Sequence, residues 1–419
     1  MDYQVSAKIQ KLFDDVTALP EVQKALDFIE KDADNSIAEQ IELTEIESPT
    51  FHEETRAKAY CQKLAELGLQ DCHIDDFGNA VGLWKGKGNG PKILVEAHMD
   101  TVFPFGSVTK VRRENDVLYA PGIVDDTRGL AVLLSALRGL KASGLETAGD
   151  IVFVGTSREE GMGSLGGMKD FLDDNWQDIG ASVSIDGGNM STVTFEATGF
   201  KTYEVNFYGI GGHAYGAFGL MANPLHAAAR AVAKIADFQV PEDPRTTFCV
   251  SNFHAGNDAG VHAIVPKATI KFNFRSNSQQ ILDELNDRIF KAIQEACDEE
   301  TARWGKDAIT WERKYLATAP AGTQDVECSL CQAMYHVCEE YDTDPKFGFG
   351  GCTNASYGIA HGIPSICIGR QFVPRGMNIG STAHQLNENM YIKDYYKCVQ
   401  MGMLVTLMMT GTPETPSAL

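Results

Sequence analysis

Five segments of this 419-residue chain end in side chains that bind metal ions or move protons. "VEAHMD" closes on His98 and Asp100, "APGIVDD" on Asp125 and Asp126, and "VGTSREEG" on Glu159 and Glu160. "SIDGG" supplies Asp186 and "GSTAHQLNE" supplies His384. A single His or Asp at a strand end is more often a cap than a ligand. Here the groups recur at successive strand ends, interleaved with glycines and with no lysine or arginine assigned to offset them. Carboxylates converging in one crevice repel each other unless cations neutralise them. Imidazole and carboxylate without cysteine suit zinc, or a similar divalent ion such as cobalt or manganese. There are enough donors for two ions that share a bridging carboxylate. Adjacent residues on an extended backbone point opposite ways, so Glu159 and Glu160 can take separate tasks at one strand end. Residues two apart share a face, which places Asp100 to orient the His98 imidazole through the nitrogen that does not bind metal.

The elements that must position these groups are legible around them. "ILVEAH" (93–98), "DIVFVGTS" (150–157) and "ASVSID" (181–186) are apolar runs of buried-strand length. Between the first two, Leu130, Leu133, Leu134, Leu137 and Leu140 fall at helical spacing, with Gly144 placed as the C-terminal cap. Strand–helix–strand alternation predicts a mostly parallel α/β sheet with helices on both faces. Ligands in such sheets gather beyond the carboxyl ends of the strands. Near residue 199 the pattern changes. "KTYEVNFYG", a helix capped by Asn223 with Pro224 at its first position, "RTTFCVSNFHA", "ATIKFNFRS", a helix from about Ser278 to Trp304 and "AITWERKYL" follow in order. That β-α-β-β-α-β order predicts a ferredoxin-like domain inserted at 197–316, splitting a catalytic domain into 1–196 and 317–419.

Composition narrows the classes. A formal net charge of −21 argues against a nucleic-acid partner, which needs clustered Lys and Arg. No stretch reaches the roughly 18 uninterrupted apolar residues of a membrane helix, and "MGMLVTLMM" reads as a packed terminal helix. The N-terminal segment is mixed in charge and helical in period, unlike a secretory signal. Ten scattered cysteines then suggest reduced thiols and a cytoplasmic location. Cys328 and Cys331 form a CxxC, read as helix packing because no second pair accompanies it. With no Gly-x-Ser-x-Gly elbow and no catalytic cysteine signature, covalent catalysis is disfavoured.

Taken in order, "EAHMDTVFP", "GIVDDTRG", "TSREEGMGSLG", "SIDGG", "GIGGHAYGAFG", "FNFRS" and "STAHQLNE" resemble the dizinc exopeptidase family. That family contains tripeptide aminopeptidase (peptidase T), glutamate carboxypeptidase, succinyl-diaminopimelate desuccinylase and the aminoacylases. The inserted segment is most similar to the peptidase T-like branch. The resemblance implies two divalent ions per subunit, zinc first, bridged by Asp125. His98 and Asp186 would complete one site and Glu160 and His384 the other. It further implies Glu159 as general base, Asp100 as the orienter of His98, and His213 as an oxyanion donor reaching a neighbouring subunit's site. Arg275 would bind a substrate carboxylate, a task also open to Arg370. The implied activity is hydrolysis of an amide bond in a short peptide from its amino end, in a homodimer joined through the inserted domain. A carboxypeptidase or N-acyl-amino-acid deacylase is the alternative, and a non-catalytic metal-binding relative a weaker one. Three positions depart from the family pattern: Thr127-Arg128 after the paired aspartates, Ala263 at an asparagine position, and Asn354 at an aspartate position. The last two bear on the choice of substrate.

Overall fold

The apolar runs become strands of one eight-stranded sheet. In the computed structural model, which describes residues 3–107, 110–304, 308–348, 351–377 and 380–419, the chain divides into two units. The first is Met1–Ala197 with Thr323–Leu419, and the second is Thr198–Gly322.

In the first unit the strands lie in the order Gln70–Ile74, Ala80–Trp84, Ile151–Thr156, Lys92–His98, Ile179–Ile185, Ser365–Ile368, Thr192–Thr194, Lys346–Gly348. The four from Ile151–Thr156 to Ser365–Ile368 run parallel, and antiparallel pairing adds strands on both sides of them. Every residue of Ile151–Thr156, and of Lys92–His98 after Lys92, is buried. A strand buried without alternation is covered on both faces, and this is why these runs read as continuous apolar stretches. The parallel direction brings the carboxyl ends of four strands to one edge, just ahead of His98, Glu159, Asp186 and Arg370.

Helix Thr127–Ser143 connects the strand ending at His98 to the one ending at Thr156. Its N-cap is Asp126, which accepts a hydrogen bond from the Gly129 N–H at 3.0 Å, and its C-cap is Gly144 with φ 73°. Gly129 is required for packing. A Cβ there would collide with the Ile185 carbonyl, so only glycine lets this helix start beside the strand that delivers Asp186. Helix Tyr396–Thr410 is buried from Cys398 to its end, as expected of a packed terminal helix. Among the described residues no helix is long and apolar enough to cross a membrane.

The second unit follows the β-α-β-β-α-β order. Its strands are arranged Thr246–Ala255, Lys267–Ser276, Gly199–Tyr208, Thr310–Ala319, all antiparallel. Ala268, Ile270, Phe272 and Phe274 alternate inward and pack with Leu282, Leu285, Ile289 and Ile293 of helix Gln279–Trp304. Helix Pro224–Ala236 starts at Asn223, whose side chain accepts from the Leu225 N–H. The last strand continues past residue 316 to Ala319, and the unit runs on to Gly322.

One buried cation ties the entry of the first unit to its sheet. Arg56, fully buried on helix Glu54–Glu66, donates from Nε and Nη2 to the Ile46 carbonyl (3.0 and 2.5 Å) and from Nη1 to the Met99 carbonyl (2.6 Å). Arg56→Met removes those donors and leaves both carbonyls without a partner, a loss of at least about 3 kcal/mol. The expected outcome is a clearly lowered thermal midpoint, with Arg56→Lys intermediate. An unchanged midpoint for Arg56→Met would show that the bonds contribute nothing.

Candidate metal centre

The strand ends converge on a cluster of carboxylates and imidazoles, all within the first unit. His98 Nε2 lies 2.9 Å from Asp125 Oδ1, and donor atoms of His98, Asp125 and Glu160 all fall within 4.8 Å of one another. His384 Nε2 lies 2.8 Å from Glu160 Oε1 and 3.3 Å from Asp125 Oδ2. Asp125 thus stands between the two imidazoles. Asp100, Asp126, Glu159 and Glu160 are buried beside them, Asp186 is half-buried and His384 is exposed.

Asp100 does more than orient an imidazole. Its Oδ1 and Oδ2 accept the backbone N–H groups of Glu159 and Glu160, each at 2.9 Å, and Thr50 Oγ1 also donates to Oδ2 at 2.9 Å. One carboxylate therefore clamps the main chain beneath both glutamates. The His98 Nδ1 contact goes mainly to the Asp100 carbonyl oxygen at 3.0 Å, with the carboxylate farther off at 3.5 Å. The two-residue spacing located this partner, and both oxygens lie on the Nδ1 side of the ring. Asp126 likewise serves the backbone, accepting from the His98 N–H at 3.1 Å as well as from Gly129.

The expectation that no basic residue offsets these charges is overturned. Arg370, 2% exposed, pairs with Asp186 through Nη1, and its Nη2 lies 3.2 Å from Asp125 Oδ2. Its guanidinium is engaged by the cluster's own carboxylates, which removes it as a free anchor for a substrate carboxylate. The Thr127-Arg128 departure is connected to it. Arg128 stacks over the Tyr395 ring at 3.7 Å and donates from Nε to the Arg370 carbonyl at 2.6 Å, while Thr127 Oγ1 donates to the Gly122 carbonyl at 2.7 Å. Asn354 is also accounted for. It is buried, and its amide donates to the Glu96 carboxylate and to Thr156 Oγ1, both at 2.8 Å. An aspartate there would face Glu96 with like charge, so this departure completes a buried hydrogen-bond network beneath the strand ends.

Even with Arg370 the cluster is short of positive charge. Burial, with Asp186, Glu160 and Asp100 nearby, raises the Glu159 carboxyl well above its usual range against the attraction of His98. Burial does the same for Asp126. Hydrogen bonds to Asp125 and Glu160 push His384 up to about 10. Burial works against a charged His98, but Glu159, Asp100 and Asp125 outweigh it and raise its pKa. The imidazole and carboxylate donors around Asp125 fit divalent ions by type, by proximity and by unmet charge. Glu159, by contrast, makes no side-chain hydrogen bond among the described residues.

Several of the supporting residues went unnoticed in the sequence. Thr50, Glu53 and Arg56 lie in one N-terminal segment; Thr50 donates to the Asp100 carboxylate, and Glu53 and Arg56 act on backbone groups. Glu53 Oε1 accepts the Arg158 N–H at 3.0 Å, beside the two glutamates. No periodicity announces the contacts with Asp100, Met99 and Arg158, which span 50, 43 and 105 positions. Arg370 was visible as a cation one residue after a strand-end glycine, but its partners were not. His213 and Arg275 lie in the second unit. His213 is exposed on a short strand paired with Ala263–Ile264, with Ala263 opposite it. Its Nδ1 accepts the N–H groups of Tyr215 (3.3 Å) and Gly216 (3.1 Å), which leaves Nε2 as the protonated nitrogen of the neutral ring. Arg275 is exposed over the Phe200 ring, with Nε donating to Asn273 Oδ1 at 3.1 Å.

The chain is similar to known proteins over most of its length. The model of Peptidase family M20/M25/M40 matches residues 94–407. A succinyl-diaminopimelate desuccinylase of Nitrosomonas europaea is 27% identical over 371 residues, covering 83% of this chain and 91% of that protein. Carboxypeptidase G2 of a Pseudomonas species is 34% identical over 160 residues, but the match spans 37% of this chain and 38% of that protein. In fold, the chain is similar to the aminopeptidase PepT of Bacillus cereus (TM-score 0.71, 20% identity, 89% of this chain and 97% of that chain). It is likewise similar to a tripeptidase of Staphylococcus aureus (TM-score 0.72, 21% identity, with the same coverage).

A charge-starved donor cluster makes two measurable predictions. Zinc, cobalt or manganese at a hundredfold excess over its dissociation constant raises the stability of the folded chain by about 2.7 kcal/mol, read as a higher thermal midpoint. Glu160→Gln and His384→Ala each weaken ion retention by more than about tenfold, measured by metal analysis after dialysis. Unchanged retention in both variants would remove them from the donor set.

Proposed function

As a member of peptidase family M20/M25/M40 this chain is a metal-dependent peptidase or amidohydrolase, and from that premise we propose that it hydrolyses short peptides from their amino end. The observation that carries the reading is Asp125 standing between His98 and His384, with Glu160 at hand and Glu159 unengaged. In this reading Asp125, His98, Asp186, Glu160 and His384 would hold two divalent ions, zinc first and cobalt or manganese as alternatives, with His98 and Asp186 on one side of Asp125 and Glu160 and His384 on the other.

Divalent ions bound there polarise the scissile carbonyl and lower the pKa of water toward neutrality. The chain's own groups do the rest. Glu159 accepts the proton of the attacking water and passes it to the leaving nitrogen. Asp100 keeps Glu159 and Glu160 apart by clamping their two backbone N–H groups, so ligand and base do not exchange places. Arg370 pairs with Asp125 and Asp186 and balances their charge. The likeness in fold to an aminopeptidase and a tripeptidase, with the similarity of the inserted segment to the peptidase T-like branch, supports cleavage from the amino end. Arg275 is then the cation left for the far carboxylate of a short peptide.

His213, with Nε2–H outward, is suited to donate to the developing oxyanion. We assign that role across a homodimer joined through the second unit, in a cytoplasmic enzyme. A second reading, deacylation of an N-acyl amino acid, is favoured by the long desuccinylase match.

Three measurements test the proposal. Glu159→Gln loses about 10²–10⁴ in kcat while metal content is unchanged; full turnover would displace it as the base. Tripeptides with free amino ends are cleaved in preference to N-acetylated peptides and N-succinyl amino acids, and the opposite ranking would establish the deacylase reading. His213→Ala and Glu159→Gln proteins, each nearly inactive alone, recover part of the activity when mixed and allowed to exchange subunits. No recovery in a confirmed mixed dimer would place His213 outside the partner's site.

A further inference from the structure

Of the five candidate metal donors, His384 alone is exposed, and its backbone is left-handed at φ 66°. The loop that carries it closes on itself. The Asn389 N–H donates to Thr382 Oγ1 at 2.9 Å, and the Gln385 N–H donates to the Thr382 carbonyl at 3.2 Å. These bonds shape the loop but do not place it against Asp125. Strand Asn389–Tyr391 does so in part, pairing antiparallel with Val117–Tyr119. Glu388, four residues after His384, makes the connection nearest the donors. Its Oε2 accepts the Gly122 N–H, its carbonyl accepts the Ala120 N–H at 3.1 Å, and its own N–H donates to the Gln385 carbonyl at 3.0 Å.

At the other end of that bond, Gly122 is held from both sides. Its carbonyl accepts Thr127 Oγ1 at 2.7 Å, and the next carbonyl, that of Ile123, accepts Gln40 Nε2 at 2.6 Å. Gly122 is left-handed at φ 75°, and a Cβ there would strike Thr101 Cγ2, so glycine is required. Asp125 stands three residues beyond it. Apart from His384 itself, Glu388 is the one side chain among the described residues that bonds segment 380–391 to segment 117–126. Glu388 is fully buried, and its Oε1 makes no hydrogen bond. A carboxylate bonded so sparsely is costly to bury, and an apolar side chain would serve packing better. Its cost points to a function in holding the two segments together.

We propose that Glu388 is a positioning residue for the ion on the Glu160 and His384 side of the centre, a role that rests on the two-ion reading above. By gripping Gly122 it sets how far His384 stands from Asp125. His384 Nε2 lies 2.8 Å from Glu160 Oε1 and 3.3 Å from Asp125 Oδ2, and one ion can touch all three only while that spacing is kept. An imidazole in place for only a fraction of the time lowers the apparent affinity by that fraction. The other side of the centre does not depend on Glu388. His98 ends the buried strand Lys92–His98, and its N–H is held by Asp126 at 3.1 Å. Loss of Glu388 therefore separates the two ions: one stays and the other is weakened.

The test compares Glu388→Met, Glu388→Asp and Glu388→Gln in the full chain, each loaded with zinc and dialysed against a competing chelator. Methionine fills the space without an acceptor, and aspartate keeps the charge but is one methylene short. Glutamine keeps an oxygen within reach of the Gly122 N–H. The expected result is two ions in the wild type and in Glu388→Gln. Glu388→Met and Glu388→Asp keep one ion firmly and hold the second at least about tenfold more weakly. A purely structural role would lower the thermal midpoint without separating the ions. Two ions held as in the wild type by Glu388→Met and Glu388→Asp, or both ions weakened equally, would overturn the proposal. So would a Glu388→Gln protein that loses the second ion as readily as Glu388→Met. A wild-type chain that binds fewer than two ions overturns the two-ion reading itself, and this role with it. Glu388→Asp and Glu388→Gln decide the matter where Glu388→Met fails to fold.

Discussion

Crowding of negative charge at one sheet edge is the constraint from which the rest of the first unit follows. Asp100, Asp125, Asp126, Glu159, Glu160 and Asp186 meet at the ends of parallel strands, with one guanidinium and two imidazoles among them. Such a cluster is stable only when each carboxylate has a donor, a cation or a proton. Two of them, Asp100 and Asp126, are satisfied by backbone N–H groups and by Thr50, and this use of main-chain donors shapes the loops. Asp125 and Asp186 share Arg370. Glu159 is left to hold a proton or face a cation, the condition in which a carboxylate can act as a base.

The supports are arranged in layers. Arg56 holds the Met99 carbonyl between His98 and Asp100, Glu53 holds the Arg158 N–H beside Glu159, and Arg128 holds the Arg370 carbonyl. Below them Asn354 and Thr156 satisfy the buried Glu96 carboxylate. The bonds from Arg56, Glu53 and Arg128 each fix a backbone group next to a functional side chain rather than the side chain itself. Geometry in the centre is thus a property of the loops, and the parallel sheet supplies a rigid base for them.

Most of the fold was legible because burial leaves a periodic trace. Continuous apolar runs gave the covered strands, leucines at helical spacing gave helix Thr127–Ser143, and alternating aromatics marked the second unit. Asn223, Pro224 and Gly144 were readable as caps because their chemistry is local. Local rules failed at Cys328, where a segment that looked helical throughout begins its helix one residue later, turning a packing residue into a cap. They failed again at the far end of the second unit, where strand Thr310–Ala319 continues past the point at which its apolar pattern fades.

The sequence alone determined which residue types stand at the strand ends, and hence that the chemistry is that of carboxylates and imidazoles. It also set the expectation that adjacent Glu159 and Glu160 diverge, on the rule for extended backbone. Only the tertiary structure decided how the charges are shared: that Asp100 clamps both glutamates, that Arg370 enters the cluster, and that Asn354 faces Glu96. Those pairings join residues 59 to 258 positions apart. Electrostatic attraction in a buried site depends on distance in space, which no local pattern in the chain encodes.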